Sequence, residues 1–138
     1  MRHVVFRIER ERFALPLAAV REVVVAPEKL TAVPRAGALV KGVMNLRGRV
    51  VPVIEMSALL TVKAISPNAK VVLLDRGRRD LGLLVTDVEG IETLEKITSA
   101  GNAVQPFVRG LSRLGALSLT VLDADALDAT VAQRVASR

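Results

Sequence analysis

Few side chains in this 138-residue sequence are of a type that does chemistry, and their spacing decides what they can do. The single histidine, His3, sits at the N-terminus with no second ligand at metal-binding spacing and no partner for general acid-base work. It is read as an exposed terminal residue. Ser57, Ser66, Ser99, Ser112 and Ser118 have no base beside them, so no nucleophile-base set is assembled. The glycines are isolated and form neither a G-x-G-x-x-G nor a Walker pattern. There is no cysteine, hence no thiolate nucleophile and no disulfide framework, as suits a reducing compartment. No catalytic residue, metal ligand set or cofactor site is expected, which sets the enzyme classes aside.

What remains is charge placed inside apolar sequence. Glu22 lies within Val20-Arg21-Glu22-Val23-Val24-Val25, and Arg47 lies in the turn of VKGVMNLRGRVVPVIE, residues 40–55. If the strands bring the two to one side, they form a charge-assisted, two-pronged pair. Otherwise they are two solvated surface charges of little energetic weight.

The elements that would position them can be read from the pattern. Residues 40–60 give two short strands about Arg47-Gly48, then a helical turn from Glu55 to Leu60. Val50 to Ile54 is apolar on both faces, which calls for cover on both, and Pro52 belongs at an edge or a bulge. Val4 to Leu17 reads as a hairpin about the charged turn Glu9–Arg12, followed by a short helical turn and a strand to Val25. Loops are expected at Ala26–Lys29 and Val33–Gly37. Val71–Leu74 and Leu81–Val85 read as a second hairpin about a charged turn from Asp75 to Asp80. From about Ala124, the spacing of Leu127, Val131 and Val135 predicts a helix capped by Asp123 or Asp125, with Arg134 and Arg138 at its end.

The halves match at a constant offset of 68 residues. Leu15 meets Leu83, Val20 meets Val88, Lys41-Gly42 meets Arg109-Gly110, and Leu46 meets Leu114; Glu55 meets Asp123 and Ala58-Leu59 meets Ala126-Leu127. A single domain, residues 1–138, built of two copies (about 4–60 and 71–127) is expected. Each copy has the strands for a small closed barrel, and the two should share a third apolar layer.

The net charge of +6 invites a nucleic-acid reading, but the basic residues are scattered beside acids. The only aromatic residues are Phe6, Phe13 and Phe107, too few for stacking platforms, and nucleic acid is set aside. No apolar run is long enough to insert in a membrane, and the N-terminus lacks the apolar core of a signal peptide, so a cytoplasmic protein is expected.

The stretch VKGVMNLRGRVVPVIE resembles the CheW-like domain family, whose usual form is G-x-x-N-L-R-G-x-x-x-P-V-[ILV]-[DE]. FALPLAAVREVV (13–24), LGLLVTDV (81–88), Val108-Arg109-Gly110 and Val121-Leu122-Asp123 resemble further parts of it. The resemblance implies a mainly β fold of two interlocked five-stranded SH3-like barrels with short helices and a C-terminal helix. It implies a non-catalytic adaptor between the cytoplasmic tip of methyl-accepting chemoreceptors and the regulatory domain of a CheA-type histidine kinase, recruited to membrane-associated receptor arrays. Carried onto this sequence, Val20, Glu22, Gly42, Val43, Arg47 and Val71 would line or organise a receptor-binding groove, with Glu22 and Arg47 salt-bridged. The alternatives are a CheW-like adaptor in a non-chemotactic complex, such as motility reversal or development, and a basic small-barrel nucleic-acid binder.

Overall fold

The computed structural model describes residues 1–33, 37, 39–63, 65–76, 79–99 and 105–136. Most of the loop expected at Val33–Gly37, the tip of the second hairpin and the helix-end Arg138 lie outside them. The strands are β1 (Arg2–Ile8), β2 (Glu11–Pro16), β3 (Val20–Val25), β4 (Val40–Leu46), β5 (Arg49–Glu55), β6 (Lys70–Arg76), β7 (Arg79–Val85), β8 (Asp87–Thr93), β9 (Thr98–Ser99), β10 (Val108–Leu114) and β11 (Leu117–Leu122). The helices are α1 (Met56–Leu60) and α2 (Ala124–Ala136), the latter capped by Asp123, whose carboxylate accepts the Ala126 N–H at 2.9 Å.

Two sheets result, ordered β3-β6-β7-β5-β4 and β8-β1-β2-β11-β10-β9. Each takes a hairpin from the other half of the chain: β6–β7 pair among the strands of the first half, and β1–β2 among those of the second. Strands β1 and β6 start 68 residues apart, as do β4 and β10, and β5 and β11. Under that offset the two sheets have the same strand order, with β9 as an added two-residue strip.

The fold is mainly β and SH3-like, but the barrels are not closed as the sequence suggests. In the five-stranded sheet β3 and β4 are opposite edges, and among the described residues the connection between them meets β4 through the bridge Thr31–Val43. Bulges at Val20/Glu22 and Val40/Gly42 bend these strands, so the sheet curls without its ladder closing.

Three apolar cores follow from the strand period. Val51, Val53, Val71, Leu73 and Leu84 fill the hollow of the five-stranded sheet, and Val5, Ala14, Leu94, Leu119 and Val121 that of the other. Between them lies the largest cluster, into which both sheets point their alternate residues: Phe6, Ile8, Phe13 and Leu15 from one, Ile54, Val72, Leu74, Leu81, Leu83 and Val85 from the other. Phe6 and Phe13 stack at 5.8 Å between centroids, worth about 0.5–1.5 kcal/mol beyond their burial. Met56, Leu59, Leu127 and Val131 seal this middle layer, whereas Val135 is exposed.

Strand β5 is not covered on both faces throughout. Val51 and Val53 are buried in the hollow and Ile54 reaches the middle layer, but Val50 is 69% exposed and Pro52 is exposed. The strand runs past the contact between sheets, and an apolar run does not show where that contact ends. Pro52 pairs Val43 on one side, and the parallel ladder to β7 begins only at Val53, so its missing N–H breaks no bond there. Asp75 and Asp80 are not turn residues; they face each other within β6 and β7.

His3 is buried rather than exposed, because β1 starts at Arg2 and places it between Pro16 of β2 and Glu92 of β8. Its Nδ1 lies 3.0 Å from the Met1 carbonyl, so that nitrogen is the donor, and Nε2 has no hydrogen-bond partner among the described residues. Burial lowers the imidazole pKa below its ordinary 6.5. The neutral ring therefore belongs to the folded state. Above pH 6.5 its contribution is complete, and as the pH falls through that value the unfolded chain takes up the proton first and stability is lost. Denaturant unfolding between about pH 7 and pH 5 should show this loss, reduced in His3→Val, the residue type found 68 positions later at Val71. Parallel pH curves for the two proteins would exclude a role for His3.

Candidate functional site

The Arg47–Gly48 turn is the starting point. Both residues have positive φ, 51° and 85°, the backbone of a two-residue hairpin whose twist suits the flanking strands, and Leu46 pairs with Arg49 across it. An arginine in this conformation is strained by about 1–2 kcal/mol. The Asn45 side-chain carbonyl helps to hold the turn by accepting the Gly48 N–H at 2.9 Å. The turn aims the Arg47 guanidinium at β3, where Glu22 follows the bulge, and its two terminal nitrogens donate to the two carboxylate oxygens, one at 3.4 Å. This hydrogen bonding raises the Arg47 pKa above its ordinary value, and the group remains charged. The pair is largely open to solvent on the Arg47 side and acts as a clasp between the two edges of the five-stranded sheet.

A second ionic layer lies beside it. Arg21 donates to Asp75 at 3.0 Å and stands 3.4 Å from Asp80, which also pairs with Arg49. Asp75 and Asp80 are cross-strand neighbours whose like charges would repel; the two arginines, from β3 and β5, neutralise them. The Asp80 side chain is only 5% exposed, so it is the buried centre of this layer. Sequence reasoning did not find it, because its members come from three separate stretches of chain.

The other expected groove residues divide between two faces. Gly42 sits where the chain before β4 crosses the strand: a Cβ there would lie 2.7 Å from the Thr31 carbonyl and 2.9 Å from the Leu30 Cβ. Thr31 and Val43 then exchange backbone hydrogen bonds of 3.0 and 2.8 Å. Val43 faces outward opposite exposed Pro52. Val20 pairs with Leu74 of the middle layer, while Glu22 pairs with Leu73 of the hollow, so the bulge between them turns the two side chains to opposite faces. Val71 is fully buried and offers no surface to a partner; it supports the strand on which Glu22 rests. Among the described residues no cluster of metal-binding side chains occurs, and no helix is long and apolar enough to cross a membrane.

Gly42→Ala should destabilise the protein by about 1–3 kcal/mol, as overpacked sites do, by forcing the Thr31 segment off β4. Thermal or denaturant unfolding of the variant reads this directly, and wild-type stability would mean that the close approach is not a constraint.

Comparison with known proteins gives a consistent result. A family profile described as the CheW-like domain matches residues 2–130. The chain is 29% identical over 137 residues to a probable chemotaxis protein CheW of Rhizobium etli, an alignment covering 90% of this chain and 84% of the relative. It is 30% identical over 115 residues to the protein PilI of Pseudomonas aeruginosa, covering 77% and 64%. In fold it is similar to the scaffolding protein TtCheW of Thermoanaerobacter tengcongensis, with a TM-score of 0.80 and 21% identity over 88% of each chain. The chain therefore belongs to the CheW-like domain family.

Proposed function

We propose that this protein is a non-catalytic adaptor that couples methyl-accepting chemoreceptors to a CheA-type histidine kinase. The family match over residues 2–130, with relatives named as chemotaxis proteins, carries this reading. In it the chain is one domain built of two copies, works in the cytoplasm, and is held at the membrane only by its partners. It binds no nucleic acid.

The receptor contact is assigned to the seam of the five-stranded sheet. An amphipathic receptor helix needs an apolar strip flanked by a fixed charge, and Val20, Val43 and the Glu22–Arg47 clasp supply these elements. Gly42 and buried Val71 act from behind by holding β4 and β6 in place. A second reading, that the same adaptor serves a different signalling complex, is favoured by the relative named PilI rather than chemotaxis protein.

Pull-down of the full chain against a kinase regulatory domain and a receptor cytoplasmic fragment, separately and together, tests the reading. Binding to both is expected. Arg47→Glu or Val20→Asp should abolish receptor capture while circular dichroism stays that of the wild type; retention of capture by both variants would remove the groove assignment. Kinase without receptor supports the second reading, and binding to neither partner overturns the adaptor.

A further inference from the structure

We infer that Asp80 is a positioning residue for the clasp: its buried carboxylate occupies Arg21 and Arg49, so that Glu22 is left to Arg47. Only the consequence for binding rests on the receptor reading given above. The mouth of the five-stranded sheet crowds its charges. Arg21, Arg47 and Arg49 are matched there by Glu22, Asp75 and Asp80, one acid for each arginine. Glu22 follows Arg21 on β3, and Arg49 stands just past the turn that carries Arg47. Hydrogen bonding to Asp75 raises the Arg21 pKa above its ordinary value, and attraction to Asp80 and Glu22 adds to this, so Glu22 lies in the field of Arg21 as well as that of Arg47. Proximity alone does not decide which arginine Glu22 takes.

Asp80 makes that decision. Its Oδ2 pairs with Arg49, and its Oδ1 stands 3.4 Å from Arg21. Oδ1 is buried and has no hydrogen-bond partner among the described residues, so it holds Arg21 by charge, which acts strongly where water is excluded. With Asp80 neutral, three arginines would share the carboxylates of Asp75 and Glu22, and Glu22 would be drawn away from Arg47. The other sheet shows the same layer without a clasp. Sixty-eight residues on, Glu22 and Arg47 become Gly90 and Gly115, and Arg49 becomes Leu117. The layer itself recurs with reversed sign, Glu89 lying 2.7 Å from Arg12 and 3.8 Å from Arg7. There it closes on itself, with no arginine in the place of Arg49 and no acid in the place of Glu22 to compete for.

The test follows the Arg47 guanidinium by nitrogen-15 NMR of the full chain, its side-chain signal identified by its loss in Arg47→Lys. Rotation about the Cζ–Nε bond is restrained while both terminal nitrogens are held by Glu22. Asp80→Asn and the smaller Asp80→Ser, which admits water, should each speed that rotation at least about tenfold, the order expected when a charge-assisted hydrogen bond is lost. Each should weaken capture of a receptor cytoplasmic fragment at least about fivefold and leave capture of the kinase regulatory domain unchanged. Removing the surplus arginine as well, in Asp80→Asn/Arg49→Leu, should restore both properties, which a role in folding alone would not allow. Unchanged Arg47 rotation in the single variants, a double variant that stays mobile, or failure of both single variants to fold overturns the inference. Rotation that responds as stated while receptor capture is absent or undiminished supports the placement of Asp80 and removes the clasp from receptor binding.

Discussion

The structure depends on one constraint: each sheet is apolar on two faces, and a sheet this small can bury only one by curling. The hollow of the five-stranded sheet takes Val51, Val53, Val71, Leu73 and Leu84, and nothing within that sheet covers Val72, Leu74, Leu81 and Leu83 on its back. The other sheet has the same surplus in Phe6, Ile8, Phe13 and Leu15. Setting the two backs together removes both from water, and the middle layer is therefore the largest core. At about 25 cal/mol per Å² of apolar surface, and with side chains of this size, it outweighs any ion pair at the rims. The ionic features of the molecule stand on that layer and do not create it.

Because the middle layer fixes the two sheets back to back, their mouths are left at the periphery and are free to differ. The positions that place Glu22 and Arg47 at one mouth place glycines at the other, and Arg21–Asp80 is answered by Glu89–Arg12. Equivalent backbones thus carry a clasped, charge-balanced end and an open, basic end. Positive charge on this chain is in part local, and the scatter of lysine and arginine along the sequence hides it.

Much of this was legible in the residues because it rests on period and repetition. The hairpins, the α2 start at Ala124 with its Asp123 cap and the presence of a third apolar layer all derive from patterns within a few turns or strands. What escaped depends on pairing between distant stretches. His3 is buried by strands on both of its flanks, which a terminal position does not reveal. Asp75 and Asp80 read as turn residues because two facing acids are unfavourable until Arg21 and Arg49 are brought to them. The open barrels follow from bulges that no composition marks, and the exposure of Val50 follows from where one sheet stops covering the other. Gly90 and Gly115 were visible throughout, but comparing the halves for agreement passes over the positions where they differ.

The exchange of hairpins has a consequence for synthesis. The five-stranded sheet lacks β6 and β7, two of its three inner strands, until residue 85 has been made, and the strand that neighbours β2 in the other sheet, β11, ends only at Leu122. The N-terminal hairpin therefore leaves the ribosome with Phe6, Ile8 and Phe13 uncovered and waits for most of the chain before it acquires a neighbour. Neither half is a unit that can fold first, and the contacts that close the molecule span more than a hundred residues, as between Phe13 and Thr120. Such topology slows folding and lengthens the interval in which apolar strands are exposed. The stability of the finished domain is therefore no measure of how readily the chain reaches it.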